Sequence, residues 1–166
     1  KSKIPCNLKS SLKDKKVLEI FAGNGLLASE LQKRNINIHP TTILAGHDGH
    51  DMGMNTKVEE IDAVSAVQEY KDDFDILLVS WPTTTEEMWK ATMEWGDEKP
   101  IFFIGEMPKV KMGLIYPGCA SDMFFEATDV IENFSSYQPK NIMDSACVIK
   151  SKSDYVTQYH NKKFSM

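Results

Sequence analysis

The chain has 166 residues and a formal net charge of −5, with 42% hydrophobic and 26% charged residues. This is one domain's worth of protein with an ordinary globular composition, which excludes disordered, collagen-like and coiled-coil readings. No apolar run approaches the ~18 residues of a membrane span, and the basic opening Lys1 to Asn7 is followed by no apolar core of the kind that makes a signal peptide. The first residue is Lys1 rather than Met, as expected of a trimmed chain or a fragment. Cys6, Cys119 and Cys147 are too few and too scattered for a disulfide framework or a zinc site. They point to a reducing compartment, and the expected location is cytoplasmic. The acidic balance speaks against wide non-specific nucleic-acid binding.

In chain order, a lysine-rich segment (1–14) precedes the first structured run. Charge runs of this kind usually mark solvated ends. Val17 to Phe21 reads as a buried strand stopping at Gly23, and Leu27 and Leu31 recur at helical spacing in a helix over Leu26 to Arg34. Ile36 to Leu44 is β-branched and reads as a second strand, with Pro40 an obstacle inside it. Gly46, Gly49 and Gly53 mark a polar loop. Ile61, Val64 and Val67 share one face of a helix ending near Tyr70.

Phe74 to Ser80 is a buried strand. Glu86 to Trp95 forms a helix with Trp89 and Met93 inward. Ile101 to Ile104 is the next strand, ended by Gly105. Ser121 caps a helix carrying Phe124, Phe125, Thr128 and Ile131. Two late strands, Phe134–Tyr137 and Ala146–Lys150, pair as a hairpin.

Alternation of apolar strands with helices predicts an α/β, doubly wound, mostly parallel sheet of six or seven strands with a closing antiparallel hairpin. The expected organisation is one Rossmann-like domain over 15–150, with 1–14 a leading segment and 151–166 a C-terminal extension of that domain. Ligands of such folds sit beyond the carboxyl ends of the strands at the switch point. Function is therefore expected just after Phe21, Leu44, Ser80 and Gly105.

After the first strand, Gly23 and Gly25 permit a tight turn and a close backbone approach to a ligand. Gly23-x-Gly25-x-x-Ala28 alone also fits the dinucleotide fingerprint, so a NAD-binding domain is one reading. Glu19 discriminates against it, because a carboxylate pointing into the loop repels a pyrophosphate and favours a cationic ligand. S-adenosyl-L-methionine carries a sulfonium and an ammonium and has no phosphate, so electrostatics favour it.

Val17-Leu18-Glu19-Ile20-Phe21-Ala22-Gly23-Asn24-Gly25 closely resembles the first motif of class I S-adenosylmethionine-dependent methyltransferases. The element order resembles that family from about Lys15 to Lys150. A narrower likeness is to a little-characterised methyltransferase-like group with V-E-E-x-D-A, L-L-x-S-W-P, I-G-E and F-F-E segments. Here these are Val58 to Ala63, Leu77 to Pro82, Ile104 to Glu106 and Phe124 to Glu126.

The resemblance implies a cofactor cradle of Glu19, Phe21, Ala22, Gly23, Asn24 and Gly25, with Asp62 and Ala63 at the adenine. The family's ribose-binding acid at the end of the second strand is replaced by Ile43. Asp48, the nearest downstream carboxylate, is the expected substitute. Losing a charge-assisted hydrogen bond there costs on the order of 1.5–3 kcal/mol. Ser80, Trp81 and Pro82 correspond to the family's fourth motif without its second proline and following aromatic, which puts an amino-group acceptor in doubt. Trp81 is expected either to stack on a planar acceptor or to pack a helix against the sheet edge. Glu106 is a candidate general base.

His47-Asp48-Gly49-His50-Asp51 lacks the geometry of a rigid metal site and reads as a polar rim loop, so no metal is expected. Cys119, ahead of Ser121, is read as an inert small residue rather than an activated thiol. The expected function is methyl transfer to an unknown acceptor, a small molecule or protein rather than bulk nucleic acid, with a protein partner plausible at this size. The alternative is a catalytically silent methyltransferase-like binding or regulatory module.

Overall fold

The computed structural model describes residues 10–43, 53–137 and 141–165. Seven strands form one sheet: β1 (Lys16–Ile20), β2 (Asn37–Thr42), β3 (Glu59–Glu60), β4 (Ile76–Ser80), β5 (Ile101–Glu106), β6 (Thr128–Asn133) and β7 (Asp144–Ser151). The helices are α1 (Leu26–Gln32), α2 (Ala63–Tyr70), α3 (Glu87–Trp95), α4 (Asp122–Glu126) and α5 (Ser153–Phe164). The strand order is β3-β2-β1-β4-β5-β7-β6. All pairs are parallel except those made by β7, which runs antiparallel to β5 and β6. The chain winds outward from β1 to β3 and returns to β4, so the switch point lies between β1 and β4. None of the described helices is long and apolar enough to cross a membrane.

Period-two alternation splits the central strands between two cores. Val17, Ile38, Ile76, Leu78 and Phe102 face α1, where Ala28 and Leu31 cover them. Leu18, Ile20, Leu77, Val79, Ile101 and Phe103 face α2, α3 and α4. Phe103 and Phe124 stack with ring centroids 5.4 Å apart, and both are fully buried. Burying such a ring contributes about 1.5–3 kcal/mol.

Pro40 lies inside β2 opposite Glu19. Thr41 hydrogen-bonds toward β1 through Ala22 N–H, and Thr42 toward β3 through Ile61 N–H. By alternation Pro40 points to the β3 side, where pairing begins only at Thr41. The missing N–H thus falls where no ladder bond is needed.

Three expectations shift. The helix capped by Ser121 ends at Glu126, and Thr128 and Ile131 lie in β6. Pairing with β7 draws this β-branched stretch into the sheet, and the Thr128 hydroxyl donates to the Phe124 carbonyl at the helix end (2.9 Å). Phe134–Tyr137 is a turn rather than a strand, closed by Tyr137 N–H to the Phe134 carbonyl. The antiparallel hairpin is real but one segment earlier. Finally, β5 runs through Gly105 to Glu106. A Cβ at Gly105 would lie 2.9 Å from Cys119 Sγ, so the glycine serves packing instead of termination.

Helix α5 was not expected from the sequence. It docks on α3 through the buried Glu94, whose Oε1 accepts from Lys163 Nζ (2.5 Å) and the Tyr159 hydroxyl (3.0 Å). Burial pushes this carboxyl up, but hydrogen bonds from Lys163, Gln68 and Tyr159 outweigh it and hold the group below the usual range. Lys163→Ala is expected to destabilise the fold by about 1–2 kcal/mol, because it strands a buried carboxylate. Glu94→Gln added to it should recover part of the loss, as read by urea denaturation.

Candidate functional site

The parallel order brings the carboxyl ends of β1, β2, β4 and β5 to one edge of the sheet. Glu19, Ser80 and Glu106 lie at the ends of β1, β4 and β5, and Phe21, Ile43 and Trp81 just beyond β1, β2 and β4. Alternation from Val17 puts Glu19 on the α1 face of β1, and alternation from Leu78 puts Ser80 on the same face of β4. Ser80 pairs with Ile104 of β5, so Glu106, two residues on, shares that face. Three polar side chains scattered over the sequence thus reach the same side of the sheet's functional edge.

Glu19 is 1% exposed. Its backbone carbonyl accepts from the Thr41 hydroxyl (2.8 Å), while Oε2 of its carboxyl has no hydrogen-bond partner among the described residues. Burial pushes the carboxyl up to about 8. A buried acid with an unsatisfied oxygen at a strand end, beside a glycine loop, is matched to a ligand that brings positive charge or a donor.

The loop after β1 is tightly made. Phe21 adopts φ 56°, Gly23 φ 54° and Gly25 φ 74°. Gly25 N–H donates to the Ala22 carbonyl (2.9 Å) and Gly25 carbonyl opens α1 by accepting from Ser29 N–H (2.9 Å). Asn24 Oδ1 accepts from Leu26 N–H (3.3 Å), occupying one of the helix's free donors. The 53–58 segment braces the loop from outside, with Asn55 N–H donating to the Asn24 carbonyl (2.8 Å). A Cβ on Gly25 would lie 2.7 Å from Val58 Cγ2 and 2.9 Å from Thr56 Cγ2. Gly25 is therefore fixed both by its left-handed backbone and by close approach.

Asp62 caps α2, its Oδ1 accepting from Ser65 N–H (2.9 Å). The bonds from Ser65 hold its carboxyl below the usual range. Ala63 is buried beneath it. Ile43 directly follows β2 and is 57% exposed, an apolar side chain at the rim. Asp48, with His47, Gly49, His50 and Asp51, lies outside the described residues. Among the described residues no group of three or more His, Cys, Asp and Glu is gathered as a metal site.

Beyond β4, Trp81 adopts φ 52° and its N–H donates to the Ile104 carbonyl (2.8 Å). A positive φ at a bulky residue is a strained conformation that costs about 1–3 kcal/mol. The residue is 47% exposed, so it does not serve as buried packing between helix and sheet edge. Pro82 is buried, and its carbonyl accepts from Ala120 N–H (3.3 Å). Strained Phe21 and Trp81 thus flank the switch point on adjacent strands.

Glu106 accepts at Oε2 from Gly118 N–H (2.5 Å) and at Oε1 from Asn141 Nδ2 (2.9 Å). It clasps the β5 exit to two other loops. Cys119 is buried, and burial pushes its thiol up to about 11, so it is no activated nucleophile. Thr41, Asn55, Thr56, Gly118 and Asn141 support the site without a local sequence signal. Their roles arise from contacts with residues 12 to 35 positions away along the chain.

No family model matches the sequence, and no curated protein matches it. Solved structures do match. MtNAS, in a complex with MTA and tNA, is 12% identical with a TM-score of 0.57, over 88% of this chain and 56% of that one. A mutant of MtNAS in complex with S-adenosylmethionine gives 13% and 0.57, over 87% and 58%. Sp1610 of Streptococcus pneumoniae, provisionally assigned as a tRNA (m1A22) methyltransferase, gives 10% and 0.54, over 89% and 69%. The chain spans little more than half the length of MtNAS. The fold is that of the class I methyltransferases, a seven-stranded, mostly parallel sheet with one antiparallel hairpin.

Two predictions follow from the geometry of the first loop. Gly25→Ala must take a left-handed conformation, costing about 1–2 kcal/mol, and must also displace Val58 and Thr56. Its thermal midpoint is expected to fall, with faster amide exchange at Leu26 and Asn55, whose N–H groups donate to Asn24. For Glu19 the folded chain holds its proton up to about pH 8, while the unfolded chain releases it near the ordinary glutamate value of about 4.3. Stability is then lost as pH rises between those values, by up to about 5 kcal/mol. Urea melts at pH 5 and pH 8 should show the wild type losing stability that Glu19→Gln retains.

Proposed function

We propose that the chain is an S-adenosylmethionine-dependent methyltransferase with a compact catalytic core. The observation that carries this reading is the buried carboxyl of Glu19, whose Oε2 has no partner among the described residues, beside a glycine loop in this fold. The cofactor's ammonium and sulfonium would supply the positive partner beside which the buried Glu19 can ionise, and the left-handed turns at Gly23 and Gly25 shape the loop that would meet it. The fit is better than for a dinucleotide, whose pyrophosphate would meet this acid and a helix start at which Asn24 Oδ1 already takes the Leu26 N–H.

In this reading Glu19, Phe21, Ala22, Gly23, Asn24 and Gly25 hold the methionine end. Asp62 and Ala63 face the adenine. Asp62 can cap α2 with one oxygen and accept from a base with the other. Ile43 gives the ribose an apolar neighbour, with Asp48 proposed as its hydrogen-bonding partner.

S-adenosylmethionine supplies an activated methyl group on a good leaving group, so alignment contributes most of the rate. Ser80 orients the acceptor by one hydrogen bond, Trp81 offers a ring face, and Pro82 stiffens the turn. Glu106 has two of its four lone-pair sites taken by Gly118 and Asn141 and keeps the others for an acceptor's proton. The acceptor is read as a small molecule or a protein, and the setting as cytoplasmic. The commitment of Glu106 to holding loops together, and the apolar Ile43, favour a second reading, a silent methyltransferase-like binding or regulatory module.

Calorimetric titration with S-adenosylmethionine and S-adenosylhomocysteine tests the site. Binding is expected, with loss of at least about tenfold in affinity in Glu19→Ala. No heat and no thermal shift at millimolar ligand would sink the cofactor reading. Binding without methyl transfer to any acceptor pool would favour the silent module. Trp81→Ala should leave cofactor affinity unchanged while raising the KM for acceptor.

A further inference from the structure

Between β5 and α4 the chain builds a small hairpin over residues 107–117. Lys109 N–H donates to the Leu114 carbonyl (2.7 Å) and Leu114 N–H returns to Lys109 (3.3 Å). A 3-10 turn, Val110–Met112, crosses its tip and ends at Gly113 with φ 72°. Its base is held by the Glu106 clasp on Gly118 and Asn141 and by Met107 N–H to the Met143 carbonyl (3.0 Å). The hairpin is therefore pre-formed at the rim where Trp81 and Glu106 lie.

What it presents is unusual for a solvated loop. Val110 is 72% exposed, Met112 57%, Ile115 44% and Tyr116 82%. Its only charged side chains are Lys109 and Lys111. No ion pair among the described residues engages either lysine. This is a basic, apolar knob on a chain whose net charge is −5.

A rigid, water-exposed group of aliphatic and aromatic side chains marks an interaction site. Met and Tyr are enriched in the centres of protein interfaces. A nucleic-acid surface would instead combine many cations with stacking rings, and here three aliphatic side chains surround one tyrosine. An anionic membrane would repel the acidic body of the chain.

We propose that the 107–117 hairpin docks a protein segment carrying apolar side chains flanked by carboxylates, with Lys109 and Lys111 reading the acidic flanks and Val110, Met112, Ile115 and Tyr116 taking the apolar anchors. Glu106 acts as a positioning residue for this surface through the clasp. The proposal deepens the reading of the site's acceptor side as protein-facing, and it holds whether or not methyl transfer occurs.

The test uses the whole chain and four fluorescent probes. These are a short peptide of alternating leucine and glutamate, its leucine–lysine counterpart, a uridine oligonucleotide, and vesicles of phosphatidylserine with phosphatidylcholine. The acidic peptide is expected to bind at least about tenfold more tightly than the basic one. Joint Lys109→Glu and Lys111→Glu should reverse that preference. Joint Val110→Ser and Tyr116→Ser should weaken binding of the acidic peptide about tenfold, and Phe164→Ser, at a remote exposed site, should not. Thermal melts unchanged from wild type show that the variants fold. Equal binding of both peptides, no binding, an unchanged preference in the double lysine variant, or binding confined to the oligonucleotide or the vesicles overturns the proposal. Calorimetry with S-adenosylhomocysteine reads the cofactor site separately, so failure of one reading is distinct from failure of the other.

Discussion

The carboxyl of Glu19 sits buried at the end of β1 with one oxygen lacking a partner among the described residues, and leaving a buried polar group unsatisfied costs about 1–3 kcal/mol. A core side chain at that position would be more stable. The surrounding architecture is what makes the acid tolerable. It lies at the carboxyl end of an interior strand, flanked by β2 and β4 and next to a glycine turn. The carboxyl can hold its proton there until a cationic ligand arrives, so the fold carries a modest penalty that binding relieves.

The loops around this point are locked by close approaches and hydrogen bonds rather than by packing of large apolar side chains. Gly25 meets the 56–58 segment with no room for a Cβ, Trp81 extends the β4–β5 ladder with a strained φ, and Glu106 joins three loops. Each arrangement fixes a rim residue at the end of a rigid strand. That is the requirement for a reaction whose rate depends on alignment. The rim also has two chemically different sides. The side of β1 and β2 combines a buried acid with a glycine turn. The side of β4 and β5 exposes Trp81 and the basic, apolar hairpin over 107–117.

Much of the fold was legible because strands buried on both faces read as continuous apolar runs. Ile76 to Val79 and Ile101 to Ile104 could be little else. The cap residue Ser121 was legible for a similarly local reason, a short polar acceptor just ahead of a helical pattern. Where local signals were weak, tertiary pairing decided. Thr128 to Asn133 has helical and strand character together, and β7 made it a strand. The two-residue β3 and the polar helix α5 have no marked apolar face. Glu94, buried in α3, could not announce from sequence that Lys163 and Tyr159 would come to it.

The sequence by itself determined that this is an α/β chain with a glycine loop after its first strand and an acid one turn of chain before it. Those features depend on residue type and short spacing, which local sterics and hydrophobic periodicity govern. Only the tertiary structure decided that the Glu19 carboxyl is buried with one oxygen unmatched among the described residues and that Glu106 is a clasp. It likewise decided that Trp81 faces solvent and that Val110 to Tyr116 stand out from the rim. Burial and hydrogen-bond satisfaction depend on which distant segments arrive beside a side chain, and no local pattern encodes that.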